Sequence, residues 1–316
     1  MTQAPTISAF EPTTVQVNPA PRGLWLDALH RLARSRLIVI CLVIVAGYFL
    51  VALLGFLPVM ERKIIEPVGG SFDPPKFVLN QPAVWFGTDI LGHSVFWQVI
   101  YGTRLAMTLG IVASLISMVI GTVLGIIAGY FGGWIDSLVI WLFSTFSSVP
   151  WILLVIAIAA VLQTHESLNR LFSGLPTVIL ALSLTNWITL CRWIRGEVLK
   201  LRERDYVVAA RAIGLSNVAI LRRHIVPNVV HLIIIDFSLN IVGNVQAEVV
   251  LAFLGLGITQ KPSWGRMIDD SKLDLLRGVW WQLVVATAAV FILSLAMNIL
   301  GDALRDALDP RLRGLE

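Results

Sequence analysis

Long apolar runs alternate with shorter polar segments along nearly the whole chain. A helix of about 20 mostly apolar residues spans a bilayer, and six runs reach or approach that length. Pro150 lies inside the third run, and Asn186 and Arg192 dilute the end of the fourth. The pattern predicts an all-α integral membrane protein with six transmembrane helices. The runs lie at residues 37–57, 105–130, 138–162, about 176–191, 229–251 and 283–300.

The composition agrees with burial in a bilayer. Of the 316 residues, 57% are hydrophobic and only 14% are charged, whereas soluble domains are nearer half apolar and a quarter charged. The net charge of +4 is not gathered on one basic face, as nucleic-acid binding requires. The chain is therefore expected to bury its apolar surface in lipid and to bind no nucleic acid.

Lys and Arg are concentrated between the fourth and fifth runs, where residues 192–228 hold eight of the chain's 24. Cytoplasmic segments of membrane proteins carry the excess of basic residues. This segment is therefore predicted to be cytoplasmic, and with six spans both termini lie on the same side.

Two features precede the first run. Residues 1–22 are rich in Pro and Thr and lack the basic and apolar regions of a signal peptide, which predicts a flexible cytoplasmic tail. Residues 23–36 place Trp25 and Leu29 on one helical face, which favours an amphipathic helix on the membrane surface. The alternative is a charged flank of the first span. The six-helix membrane domain then occupies residues 37–316.

Small residues recur every four positions in the second run, at Ser117, Gly121, Gly125 and Gly129. A helix with this spacing lets another helix approach closely. We expect helix packing to be the role of this face.

The charged segment 192–228 contains start and stop signals for two short helices. Asp205 can cap the first, and Gly214 can supply the left-handed residue that ends it. Ser216 can cap the second, which is expected to stop before Pro227. Such a pair is typical of a plug for a groove in another protein; the alternative is an ordinary loop whose arginines only set topology. The candidate binding residues are Asp205, Tyr206, Ala209, Ala210, Gly214, Ser216, Val218, Leu221, Arg222, Arg223, His224 and Pro227.

The same segment is similar to the EAA loop of the membrane subunits of bacterial ABC importers. In that motif two Ala precede a Gly and a Pro closes the segment, as Ala209, Ala210, Gly214 and Pro227 do here. Val208 stands where the motif usually has Glu. In that family the loop forms coupling helices that bind the ATPase subunits, so the resemblance implies the same role here.

Four further segments resemble the C-type subunits of the dipeptide/oligopeptide/nickel permeases, and the likeness runs from about residue 25 to the carboxyl end. They are WFGTDILGHSVFWQVIYGTRLAMTLG (85–110), AGYFGGWID (128–136), VVLAFLGLGITQKPSWGRMI (249–268) and LGDALRDALDPRLRG (300–314). His93 and Ser94 replace the Arg-Asp that usually follows the LG of the first segment.

The resemblance implies a permease subunit of an ATP-driven importer in the bacterial inner membrane. It implies four kinds of partner: membrane lipid, a homologous permease, two cytoplasmic ATPases and an external solute-binding protein. ATP and Mg²⁺ would bind the ATPases, since this chain has no GxxxxGK[ST] motif. We expect no cofactor, metal site or catalytic residue in the chain itself. Peptides are the cargo implied, with nickel or glutathione-like solutes as the alternative.

Polar residues follow each other at intervals of four in the fifth run: Asp236, Asn240, Asn244 and Glu248. A carboxylate at mid-bilayer costs at least about 2.5–3.5 kcal/mol, so this stripe should face protein or water. It is predicted to line the translocation path. The alternative is a polar seam against the second span, the fourth span or the partner permease, and Asp236 could instead pair with an arginine of the preceding segment.

Two long segments are predicted to lie outside, at residues 58–104 and 260–278. The first includes Trp85 and Trp97, which suit the membrane interface, and the second has mixed charge. Both are candidate surfaces for the solute-binding protein, with solvated faces as the alternative.

Two other classes of function are weaker. A self-contained ion-coupled transporter should show an internal repeat with matching interrupted helices, and only Pro150 interrupts a span. A membrane enzyme or metal site should show clustered chemistry. The five histidines are scattered, and Cys41 and Cys191 have no CxxC partner.

Overall fold

The computed structural model describes residues 35–258 and 261–308, and these form a helical bundle. The expected tail at 1–22 and nearly all of the expected surface helix at 23–36 lie outside the described residues, as do residues 309–316. The helices are α1 (Arg36–Leu54), α2 (Pro58–Lys63), α3 (Val95–Phe131), α4 (Gly133–Ser147), α5 (Trp151–Thr164), α6 (Glu166–Phe172), α7 (Leu175–Leu201), α8 (Asp205–Ala212), α9 (Asn217–Ile220), α10 (Val226–Phe253), α11 (Trp264–Asp274) and α12 (Trp281–Leu308).

Within the described residues, five helices are long and apolar enough to cross a membrane: α1, α3, α7, the unit Asn217–Phe253 that contains α10, and α12. A sixth span results if α4 and α5 count as one, although they meet at 92°. The third span is therefore correctly located but not continuous. Pro150 lies outside both half-helices with an extended backbone, φ −52° and ψ 127°, because its ring and missing N–H cannot continue α4.

Several helices extend beyond the predicted runs, among them α3 and α7. α3 begins at Val95 after Ser94, whose Oγ accepts from Trp97 N at 3.4 Å, so the outer segment predicted at 58–104 ends at Ser94. α7 continues to Leu201 because Ile194, Val198 and Leu201 bury one apolar face. The segment predicted at 192–228 therefore begins inside a helix.

The predicted small-residue face of α3 packs against α7. A Cβ added at Gly121 would lie 2.7 Å from the carbonyl oxygen of Trp187, and one at Gly125 would lie 2.8 Å from that of Cys191. At Gly129 an added Cβ would lie 2.8 Å from the Cβ of Val198. The close approach expected from the spacing is confirmed, and its partner is the fourth span.

One ion pair holds α4 to the bundle. Arg195 of α7 donates two hydrogen bonds to Asp136 of α4, Nε to Oδ1 at 2.5 Å and Nη2 to Oδ2 at 2.7 Å. Such a bidentate geometry is the strongest arrangement for an arginine–carboxylate pair. The rest of α4 is largely exposed, with Val139 its one buried residue.

Candidate functional site

The charged segment folds into the expected pair of short helices. α8 starts at Asp205, one residue earlier than predicted, and Arg204 occupies the N-cap position without a side-chain hydrogen bond. Asp205 is therefore a first-turn residue and not the cap, where its carboxylate favours the positive end of the helix.

The turn between the two short helices follows the sequence prediction. Gly214 has φ +82°, its N–H donates to Arg211 O at 3.1 Å, and an added Cβ would meet nothing within 4 Å. Glycine is thus required for its backbone angle and not for space. Ser216 caps α9, with Oγ accepting from Ala219 N at 3.3 Å.

The second short helix does not stop before Pro227, contrary to the prediction. A wide π turn, Leu221–Ile225, joins α9 to α10, so that one helical unit runs Asn217–Phe253. Such a turn relieves the clash between a proline ring and the carbonyl four residues back, and Asn228 Nδ2 donates to His224 O at 2.7 Å. The second short helix and the fifth span are therefore one continuous element, whereas the turn at Gly214 separates α8 from it.

The buried side of the helix pair rests on the bundle. Val207, Ala210 and Ile220 are buried in a cluster with residues at the ends of α3 and α7. Tyr130 Oη donates to Asn217 Oδ1 at 2.9 Å, which adds a polar contact with α3. Ala210, one of the candidate binding residues, thus serves packing within the chain.

The opposite side carries an exposed apolar face. Ile213 and Val218 are 77% and 74% exposed, and Tyr206 and Val208 are about half exposed. Val208, in place of the motif's Glu, adds to this apolar surface. Of the other candidate binding residues, Leu221 and His224 are half-buried, and exposed are Asp205, Ala209, Gly214, Ser216, Arg222, Arg223 and Pro227.

A recess of about 530 Å³ lies on this face, lined by Ser216, Val218, Ala219, Arg222 and Arg223. Its wall is partly apolar and partly basic. This surface, from Tyr206 to Arg223, is called the coupling face below. Ile213 is its most exposed apolar residue, and the sequence reasoning missed it although it directly precedes Gly214.

The polar stripe of the fifth span is mostly buried by the chain itself. Asp236 accepts from Asn240 Nδ2 at 2.6 Å, and Glu248 lies against the start of α11, where a Cβ added to Gly265 would be 2.9 Å from Glu248 Oε2. Asp236, Asn244 and Glu248 are buried, and Asn240 is half-buried. Asp236 thus bonds within its own helix.

Asn244 is the member that joins other spans. Its Nδ2 donates to Ser114 Oγ of α3 at 2.9 Å, and its Oδ1 accepts from Asn186 Nδ2 of α7 at 2.6 Å. At Asn244, therefore, the structure contains the alternative that the sequence left open, a polar seam against the second and fourth spans. Asn186 was noted in the sequence only as a polar dilution of the fourth run.

Aromatic rings cluster where the segment that ends at Ser94 meets the start of α3. Phe96 contacts Trp97 and Trp85 with ring centroids 4.9 Å and 5.6 Å apart. Lys63 Nζ lies 3.9 Å from the centre of the Trp97 ring. These contacts hold the segment over the amino-terminal end of α3.

The two segments predicted to lie outside border a common charged cleft of about 750 Å³. Lys261 Nζ donates to Glu61 Oε1 at 2.8 Å, and Arg104 Nη1 lies 3.7 Å from the same oxygen. The hydrogen bond from Lys261 lowers the pKa of Glu61, and the same bond raises the pKa of Lys261. Asp270 also lines the cleft, and burial raises the pKa of its carboxyl.

The sign of these shifts sets a pH window. Stability from Glu61 is present above its ordinary pKa of 4.5 and is lost as pH falls through the lowered value. Stability from Lys261 is present below its ordinary pKa of 10.5 and is lost as pH rises through the raised value.

At pH 7, then, both charges are present, and Glu61→Lys should loosen the two outer segments. Limited proteolysis of the outer side should become a few-fold faster, since exposed pairs contribute little. Adding Lys261→Glu should restore the original rate. Equal rates in all three proteins would show that the pair does not join the segments.

A comparison with known protein families finds a match over most of the helical bundle. The family model described as "Binding-protein-dependent transport system inner membrane component" matches residues 121–314. That match covers the end of α3 and all of α4 to α12, and it therefore includes the coupling face.

Similar curated proteins are permease subunits. The dipeptide transport system permease protein DppC of Bacillus subtilis (strain 168) is 35% identical over 289 residues, which cover 91% of this chain and 86% of the relative. The oligopeptide transport system permease protein OppC of the same strain is 32% identical over 313 residues, covering 96% and 97%. The glutathione transport system permease protein GsiD of Escherichia coli O6:K15:H31 (strain 536 / UPEC) is 37% identical over 238 residues, covering 74% and 75%.

Among solved structures, a chain of the MetNI methionine ABC transporter in an inward-facing conformation has a similar fold. The TM-score is 0.53 at 16% identity, covering 67% of this chain and 97% of that chain. At this identity the likeness concerns the fold alone.

Proposed function

Since the chain belongs to the family of binding-protein-dependent transport system inner membrane components, we propose that it carries peptides across the inner membrane together with a homologous permease. Family membership makes it a multi-pass inner-membrane transport subunit and not an enzyme. The proposal adds the cargo, the partners and the residues.

Peptides are favoured as cargo by the names of the relatives, which are permeases for dipeptides, oligopeptides and glutathione. All three solutes carry amide bonds and charged ends, so the path must offer weak polar contacts. Nickel complexes or glutathione-like solutes are the alternative cargo.

The coupling face is the observation that carries the mechanism. Exposed Ile213 and Val218 beside Arg222 and Arg223 form an apolar and basic surface without a cover in the described chain. We assign this face to the binding of an ATPase subunit, one of the two cytoplasmic ATPases that bind and hydrolyse ATP with Mg²⁺. Since α9 and α10 are one helical unit, a displacement at Val218 moves the fifth span and switches the bundle between inward-facing and outward-facing states.

The path is assigned to the side of the fifth span that carries the polar stripe. Asn240, half-buried, is its accessible member. Asn244 positions Ser114 and Asn186 through its two amide hydrogen bonds. Asp236 and Glu248 lie at the two ends of the stripe and have a structural role. The charged cleft between the outer segments is the proposed surface for the solute-binding protein.

We place the coupling face and both termini in the cytoplasm. A cysteine on this face should then be labelled only from the cytoplasmic side of the membrane. Ile213→Cys should react with a membrane-impermeant thiol reagent in inside-out vesicles and not in intact spheroplasts. An outer cysteine at Leu276, which is 87% exposed on the opposite side, is the matched control and should show the reverse. Labelling of Ile213→Cys in spheroplasts would overturn the orientation.

Cargo is tested with the whole complex in proteoliposomes. Radiolabelled trialanine should accumulate when binding protein, both permeases, ATPases and ATP are present, and Ni²⁺ should not. Accumulation of Ni²⁺ without trialanine would transfer the proposal to the alternative cargo. Uptake driven by an ion gradient without ATP would favour the ion-coupled class.

A further inference from the structure

A chain of hydrogen bonds crosses four helices in the middle of the bundle. Trp151 Nε1 of α5 donates to Asn186 Oδ1 of α7 at 2.8 Å, and Asn186 Nδ2 donates to Asn244 Oδ1 of α10 at 2.6 Å. Asn244 Nδ2 then donates to Ser114 Oγ of α3 at 2.9 Å. The bonds therefore connect the second, fourth and fifth spans to α5, which is the second half of the broken third span.

The chemistry of the first donor sets the direction of every bond. An indole N–H can only donate, so the oxygen of Asn186 must face Trp151 and its NH₂ must face Asn244. The same reasoning turns the NH₂ of Asn244 toward Ser114. Each amide is held in one of its two orientations, which makes Asn186 a preorganised group.

Burial decreases along the chain of bonds from one end to the other. Asn244 is 0% exposed and Ser114 is buried, Asn186 is half-buried, and Trp151 is 43% exposed. Asn186 uses one N–H and one lone pair in the two bonds, which leaves a second N–H and a second lone pair. The buried end, at Asn244 and Ser114, holds the network in place. At the partly exposed end, Asn186 still has a hydrogen-bond donor and an acceptor free for another group.

The exposed end lies at the break of the third span. Residues 147–150, which are Ser, Ser, Val and Pro, are all exposed, and the helix axis turns by 92° there. Irregular backbone at membrane depth is tolerated where it lines a water-filled cavity or is covered by protein, but not where it faces lipid. The break therefore faces the path or a partner chain, and Trp151 and Asn186 lie beside it.

We propose that Trp151 and Asn186 form a contact point for the transported peptide, in which the Asn186 amide bonds the peptide backbone and the Trp151 ring packs on it. This rests on the proposed function and adds two specificity-determining residues to the path. An amide pairs with a backbone amide of any sequence, and the flat indole face accepts apolar or polar neighbours. The contact is weak and replaceable, as passage requires.

Substitution separates this role from general packing. Trp151→Phe keeps an aromatic ring and removes the indole N–H. It should lower trialanine transported per ATP by about fivefold with saturating binding protein, the change expected for one hydrogen bond. Trp141→Phe, at an exposed tryptophan of α4 outside the hydrogen-bond chain, should leave the ratio unchanged. An unchanged ratio in Trp151→Phe would overturn the proposal.

Solvent access gives a second, independent test. With Cys41 and Cys191 replaced by Ala, Trp151→Cys should react with a water-soluble thiol reagent, and trialanine should protect it. Leu153→Cys, 54% exposed on another face of α5, should react slowly and without protection. Absence of labelling at position 151, or labelling without protection in a complex that still transports trialanine, would overturn the contact point. If the wild-type complex does not transport trialanine, it is the proposed cargo that fails.

Discussion

Replacing Gly214 with proline is expected to abolish ATP-driven uptake while the protein still inserts in the membrane. Proline fixes φ near −65°, whereas Gly214 has φ +82° and donates its N–H to Arg211. The variant would lose both the turn and the hydrogen bond, so α8 and α9 could not keep the coupling face together. Uptake should fall more than about tenfold, since about 1.4 kcal/mol already corresponds to that factor.

The matched control is Gly214→Asn. Asparagine tolerates the left-handed region, and an added Cβ at this position meets nothing within 4 Å. This variant should retain most of the uptake, and the ATPases of the Gly214→Pro complex should hydrolyse ATP without transport. Uptake by Gly214→Pro at the wild-type rate would show that the turn does not transmit the ATPase motion.

Gly125→Leu is expected to prevent stable folding of the bundle. The Cβ alone would lie 2.8 Å from Cys191 O and 3.0 Å from Ile194 Cβ, so the side chain must push α3 and α7 apart along their whole contact. Overpacking of this kind costs about 1–3 kcal/mol or more, which reduces the folded fraction of a marginally stable protein strongly. Membrane levels and thermal stability in detergent measure the effect.

Gly47→Leu provides the comparison, because this glycine also lies in a span but a Cβ there meets nothing within 4 Å. Its membrane level should equal that of the wild type. A Gly125→Leu protein with the same thermal stability as Gly47→Leu would show that the close packing of the two spans is not needed for the fold.

Much of the fold can be predicted because local rules decide it. Apolar length alone located the six runs, and the left-handed Gly214 and the capping Ser216 follow from chemistry within a few residues. The small face of the second span was also readable, since repeated glycines at intervals of four have few other uses in a membrane helix.

The two prolines show where local rules end. Pro150 separates two half-helices, while Pro227 lies within a continuous helical unit because the π turn Leu221–Ile225 takes up the misfit. Both prolines look alike in the sequence. Which one interrupts its helix depends on packing around it, and that information is not local.

The candidate site was predictable in part for the same reason. Periodicity placed Asn244 on a polar stripe, but its partner Asn186 lies 58 positions away on another helix. A single sequence gives no signal for such a pair. The resulting network extends the stripe from the fifth span to Trp151, and this connects the coupling face with the proposed contact point through one helix.

The most direct measurement compares proteoliposomes that contain both permeases with those that contain the complete complex. With loaded binding protein and ATP, radiolabelled trialanine should accumulate only when the ATPases are present, and Gly214→Pro should remove that accumulation. Accumulation in proteoliposomes that hold this chain without ATPases would contradict the account, because the chain would then drive transport by itself.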